Sequence, residues 1–327
     1  MCKHQSPKVG LALGSGSARG GAHFGVIRAL NEAGIRVDYV AGTSVGALVG
    51  AAYAAGTIDK LERFIQELEW RQMVTFLDVA FPSSGLIDGR KVSRFIDEFL
   101  GQQSFDDLSC PLSVVATDLN GGFEVVIQGG DLAKAVRASI SIPGIFRPVK
   151  RDAAILVDGG LVNPVPVTAV RAMGADVVIA VDLSRELAPI EETGEASRTE
   201  DAEPEESEGI SFVPEGLRNA TRPLIEKLAA LEASGLSRIK SLRQKESVPN
   251  IAEVLLMSLA VMENQVKEMQ FRADPPDVLI RPRVGHVSFL EFHRAKELID
   301  LGYEEARSTL ARWLEEGGNR RPGGILP

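Results

Sequence analysis

The chain of 327 residues contains two cysteines, four histidines and few aromatic residues. Cys2 and Cys110 are too few for a disulfide framework, so a reduced compartment is the simpler expectation. No Cys/His ligand cluster is present, and neither a metal nor another cofactor is expected. Nowhere do 18 apolar residues run together, which argues against a membrane span. The run Val9–Leu13, behind the first eight residues, is too brief for a signal-peptide core. The expectation is a cytoplasmic protein that would meet the inner membrane surface only peripherally. Nor is there an excess of positive charge. The net charge is −9, and Glu191 to Glu208 holds nine acids against Arg198 alone, so the remainder is about neutral. A nucleic-acid partner has no electrostatic footprint here.

What is present alternates. Strand-length apolar runs occur at Lys8–Leu13, Val37–Ala41, Leu112–Thr117, Glu124–Ile127, Ala154–Val157, Val177–Val181 and Val278–Ile280. Several are continuous Val/Ile/Leu/Ala, as in strands buried on both faces. Helical patterns cover Gly20–Ala33, Val45–Ala55, Ile58–Glu69, Lys91–Leu100, Leu132–Ala138, Pro164–Met173, Pro223–Arg243, Ile251–Phe271 and Leu290–Leu314. The alternation predicts an α/β sandwich with a mostly parallel sheet. A single domain over 8–315 is expected, between flexible tails at 1–7 and 316–327. The acidic stretch at about 189–210 lacks periodicity and reads as a disordered insertion. Gly216–Lys245 carries seven Lys/Arg, two acids and a leucine-rich stripe. Such a helix can lie on an anionic bilayer, but more often packs on its own domain or a sister subunit. The next helix, with Val254, Leu255, Leu259, Met262, Val266 and Met269, reads as core or interface, and these helices leave room for a homo-oligomer.

Three stretches carry chemistry. Gly42-Thr43-Ser44-Val45-Gly46 is a G-x-S-x-G pattern between a strand and a small-residue helix, the setting of an exposed nucleophilic serine. Gly42 and Gly46 suit the cramped backbone of that turn. Gly14-Ser15-Gly16-Ser17-Ala18-Arg19-Gly20 follows the first strand and opens a helix, so its amides could hold an anion or an oxyanion. As a dinucleotide fingerprint it fails, because the frame from Gly14 puts Arg19 in the third glycine position. Asp158-Gly159-Gly160 ends an apolar strand, where desolvation would make the carboxylate a better base; alone, it would read as a turn. A histidine base would have to be His4, His23, His286 or His293. His4 is in the tail, and His23 shares a face with Ile27 and Leu30 and reads as packed or capping. His286 and His293 flank a helix start and either could serve a triad.

In order and spacing these three blocks resemble the signature blocks of the patatin-like phospholipases. Ala138-Ser139-Ile140-Ser141-Ile142-Pro143-Gly144 and Asn163-Pro164-Val165-Pro166 are similar to blocks on either side of the family's aspartate. Asp274–Asp277 and Phe292–Ala295 resemble the bacterial RssA-like branch. The resemblance covers nearly the whole chain except the acidic insertion. It implies a three-layer α/β/α sandwich and a Ser–Asp dyad without histidine: Ser44 as nucleophile and Asp158 as base. It also implies an oxyanion hole from the amides of Gly16, Ser17 and Ala18, with Gly14, Arg19, Gly20, Gly42, Gly46, Gly159 and Gly160 supporting. Many members have glycine at the positions of Ser15 and Ser17, where a positive φ would strain a serine. The implied activity is acyl-ester hydrolysis on a phospholipid or lysophospholipid. A low-turnover lipid sensor and an acyltransferase are the rivals. A histidine-based α/β-hydrolase fits less well, because Ser44 falls too early in the chain.

Overall fold

The computed structural model describes residues 7–67, 89–101, 103–184 and 251–317. The chain divides into two compact units, Met1–Glu186 with Leu255–Pro327, and Leu187–Val254. Only residues 251–254 of the second unit are described, and the sheet with its flanking helices belongs to the first. The acidic insertion, the basic stretch 216–245 and residues 1–6 and 318–327 of the tails lie outside the described residues.

Eight strands of the described chain form one sheet: β1 (Val9–Leu13), β2 (Tyr39–Thr43), β3 (Leu112–Asp118), β4 (Phe123–Ile127), β5 (Val149–Arg151), β6 (Ala154–Asp158), β7 (Val177–Val181) and β8 (Val278–Ile280). The order is β5-β6-β3-β2-β1-β7-β8, and β4 also pairs with β3. From β3 to β8 the pairings along this order are parallel, whereas β4 and β6 run antiparallel to β3. The continuous apolar strands β1, β2, β3 and β7 lie in the interior of the order and are buried almost throughout. β5 has no apolar signature to announce it, since its last two residues are Lys150 and Arg151. It exists because the chain turns back through Asp152, at a positive φ of 53°, into β6.

Helices cover both faces. The larger core joins the sheet to α1 (Gly21–Glu32), α2 (Val45–Ala54), α3 (Ile58–Glu67), α4 (Arg90–Leu100), α5 (Leu132–Ser139) and, later in the chain, the C-terminal helix Ala295–Glu315. On the other face Ala12, Ala41, Val115, Val178 and Ala180 meet α6 (Val167–Ala172) and Phe271 of α7 (Ile251–Ala273). The result is a three-layer α/β/α sandwich. The C-terminal helix, α8, closes on α1 with little between the backbones: a Cβ on Gly302 would lie 2.1 Å from the Ala22 carbonyl oxygen. α6 is shorter than its pattern because Pro164 and Pro166 hold the chain out of helix until Val167. A 3-10 turn, Phe292–Arg294, replaces the first turn expected of α8.

Of the two expectations for α7, core or interface, the first is corrected at three residues. Leu255, Met262 and Met269 do not enter the core of the first unit but are 43–60% exposed. The helix turns Glu263, Lys267 and Gln270 toward the ends of the strands, where loops present polar groups rather than methyl groups.

Candidate active site

β2 ends at Thr43, and α2 starts at Val45. Ser44 between them has φ 56° and ψ −124°, a strained conformation for a residue with a side chain. The surroundings enforce it. A Cβ on Gly42 would sit 2.5 Å from the Gly46 carbonyl oxygen, and one on Gly46 would sit 2.1 Å from that of Leu13. Ser139, at the end of α5, completes the support by accepting the Ser44 N–H at 2.8 Å and donating to the Val115 carbonyl at 2.5 Å.

The register of the sheet delivers the second residue. Thr43 pairs with Val115 on β3, and the next residue of β3, Ala116, pairs with Asp158 at the end of β6. Two strand ends far apart in sequence therefore abut, and the Ser44 hydroxyl donates to Asp158 Oδ2 at 2.6 Å. The Gly160 amide donates to Oδ1 at 2.8 Å. Burial pushes the Asp158 carboxyl up to about 7, and the negative charge of Glu263 adds to this; the bonds from Ser44 and Gly160 pull the other way. A carboxylate with such proton affinity can act as a base near neutral pH.

The glycine-rich loop is tied into the same corner. Ser15 N–H donates to the Pro164 carbonyl, Gly14 N–H to that of Val181, and buried His23 bonds the Gly14 carbonyl through Nε2 at 2.9 Å. Thr43 donates to the Asn163 carbonyl at 2.8 Å, so the Asn163–Pro166 block braces both the serine turn and the loop. Ser17 does have a positive φ, 51°. Its hydroxyl donates to the Phe289 carbonyl at 2.8 Å, and the Ala18 amide donates to the same oxygen at 3.2 Å. The amides of Gly16 and Ser17 have no acceptor among the described residues. Ser17, Ala18 and Ser44 open onto an apolar cavity lined by Phe24, Leu48, Phe64, Phe95, Ile142 and Phe146, among others. Among the described residues no histidine lines it: His286 is paired with Glu297 at 2.8 Å and half exposed, and His293 is exposed.

A family model described as "Patatin-like phospholipase" matches residues 11–171, which include all three blocks. An uncharacterized NTE family protein of Mycobacterium tuberculosis is 31% identical over 93% of this chain and 92% of its own length. The chain belongs to the patatin-like phospholipase family. Patatin-like phospholipase domain-containing protein 7 of mouse is 30% identical over 94% of this chain, which spans 21% of that protein. The neuropathy target esterase sws of Drosophila melanogaster is 35% identical over 54% of this chain and 13% of its own length. Membership places the chain among lipid hydrolases.

In this patatin-like chain Ser44, Asp158 and the glycine-rich loop are legible in the sequence, but four residues that act on them are not. Ser139 stands in a block that resembles the family's, with nothing local to show that it would hold an amide of Ser44. Glu263 lies in a helix whose apolar residues dominate its pattern, and its partner Ser15 is 248 positions away. Phe289 contributes only a carbonyl, which no motif can advertise. His23 reads as a packed residue and is one, but its bond to the loop needs the fold to be seen. Among the described residues no helix is long and apolar enough to cross a membrane.

Proposed function

We propose that the protein is a serine acyl hydrolase that cleaves fatty-acyl esters of phospholipids or lysophospholipids through a Ser44–Asp158 dyad. The observation that carries this is the 2.6 Å bond from the Ser44 hydroxyl to Asp158, with Ser44 in the wall of an apolar cavity. An acyl chain entering the cavity brings its ester carbonyl to Ser44. Asp158 takes the hydroxyl proton as Oγ forms a bond to the carbonyl carbon. The resulting oxyanion is met by the amides of Gly16 and Ser17, the two loop donors with no acceptor among the described residues. Collapse of this intermediate expels the alcohol, which receives its proton from Asp158. Water then attacks the acyl-enzyme as Asp158 accepts one of its protons. The acid departs, and Ser44 recovers its hydrogen. Peripheral contact with a lipid surface follows from the substrate class.

Fluorophosphonate labelling, followed by assays on phospholipid, lysophospholipid and neutral-lipid substrates, tests this. Labelling and hydrolysis should vanish in Ser44→Ala and Asp158→Asn while both variants fold as the parent does. Full activity in either refutes the dyad. One observation favours the low-turnover alternative: the Ala18 amide is already engaged by Phe289. A labelling burst without steady turnover on any lipid would support that reading, and product analysis with alcohol acceptors would reveal acyl transfer.

A further inference from the structure

We propose that Glu263 is a positioning residue that acts on the hydrolytic pair through Asp158, held in place for this by Ser15 of the glycine-rich loop. The proposal rests on the reading of Ser44 and Asp158 as nucleophile and base. Glu263 reaches down from α7, and its Oε2 accepts the Ser15 hydroxyl at 3.1 Å. Its Oε1 lies 2.7 Å from the point a Gly160 Cβ would occupy, and Asp158 Oδ1 lies 3.1 Å from that same point. The absent side chain of Gly160 is therefore the gap across which the two carboxylates face each other. Any larger residue would push them apart.

The charges around this gap are few. Asp158 approaches from β6, carrying the bonds from Ser44 and the Gly160 amide. From the glycine-rich loop come the Ser15 hydroxyl and the positive charge of Arg19, and both favour an ionised Glu263. Lys267, one turn further along α7, is held by Asp182 and Ser184. Two carboxylates brought this close out of water do not both ionise readily, so the pair retains a proton into the neutral range and titrates as a unit. Burial raises the proton affinity of Glu263 as well as that of Asp158. Ser15 and Arg19 bias the shared proton toward Asp158 and away from Glu263. The negative neighbour thereby makes Asp158 a stronger base once it is free.

Labelling of Ser44 by a fluorophosphonate, followed in the full-length protein as rate against pH from 5 to 9, reads this without any lipid. In the parent the rate should rise through a midpoint near 7, where Asp158 ionises. In Glu263→Gln the midpoint should move down by about one unit or more, with a lower plateau, because the like charge is gone. Ser15→Ala should move it the same way by less, since Glu263 then takes more of the shared proton. A Glu263→Gln midpoint that stays in place while the plateau falls would reduce Glu263 to a packing role and overturn the proposal. Complete loss of labelling in a folded Glu263→Gln would make Glu263 the base itself, which also overturns it. If that variant does not fold, the Ser15→Ala midpoint decides. Failure of lipid hydrolysis alone would refute the substrate reading and leave this result standing, whereas an unlabelled parent would sink both.

Discussion

Ser44 is strained and nearly enclosed, and its position depends on one hydroxyl. The Ser139 Oγ satisfies both the Ser44 amide and the Val115 carbonyl, two backbone groups that water cannot easily reach. Ser139→Ala should leave both without a partner and destabilise the fold by about 1–3 kcal/mol. Because the turn would relax toward an unstrained φ, the fluorophosphonate labelling rate should fall by roughly 10- to 100-fold. Thermal melting together with labelling checks this, and an unchanged rate in a destabilised protein would separate the strain from the chemistry. At this scale Ser44 and Asp158 were legible because each sits in a local pattern of strand end and glycines. Ser139 was not, because its partner lies 95 residues away and nothing in its own neighbourhood requires a hydrogen bond.

At the scale of elements, α7 shows what amphipathic pattern alone conceals. Its apolar residues pointed to core or interface, yet the face that meets the sheet is anchored by an ion pair. Lys267 donates to Asp182 at 2.9 Å and also to Ser184, and both charged side chains are at most 4% exposed. Burial works against the ionised form of Asp182, but Lys267 and Ser184 hold its carboxyl below the usual value. Arg281 reaches the same Oδ2 at 2.9 Å from beyond β8. Lys267→Met should therefore cost about 3 kcal/mol by leaving the buried Asp182 with Ser184 and, among the described cations, the half-exposed Arg281. The double change Lys267→Met with Asp182→Asn should recover part of this, since the buried charge that Lys267 offset is gone as well. Urea unfolding of the two variants measures it, and equal stability in both would mean that the pair is not what fastens α7. The strands of the parallel sheet, by contrast, were readable to within a residue at β1, β3, β7 and β8, while β2 lies two residues later than its apolar run Val37–Ala41. Burial on both faces leaves an unbroken run of Val, Ile, Leu and Ala, whereas a half-exposed helix over polar strand ends leaves a mixed one.

For the molecule as a whole, two buried groups impose opposite dependences on pH. Burial lowers His23 to about 4, despite the opposing bond to the Gly14 carbonyl, and its Nδ1 has no partner among the described residues. The unfolded chain thus binds a proton at His23 between about 6.5 and 4 that the folded one refuses, and this difference removes stability as the pH falls. Asp158 acts the other way. The folded protein keeps its proton up to about 7, while the unfolded carboxyl has lost it near 4, so this difference removes stability as the pH rises. Glu263, raised in the same sense, adds to the second trend. His23→Gln, which keeps a donor for the Gly14 carbonyl, should make the decline in stability from pH 4.5 to 6.5 steeper by up to about one proton, or about 1.4 kcal/mol per pH unit. Combining Asp158→Asn with Glu263→Gln should reverse the sign of the slope, leaving a protein that loses stability on acidification and is more stable than the parent at pH 8. Urea denaturation at a series of pH values resolves the two slopes. Parallel curves for the parent and both variants would mean that neither His23 nor the carboxylate pair titrates as its surroundings dictate. The reversal bears on the proposed function as well, because a site that destabilises the fold most at the pH where Asp158 is ionised is one held in place by the rest of the structure.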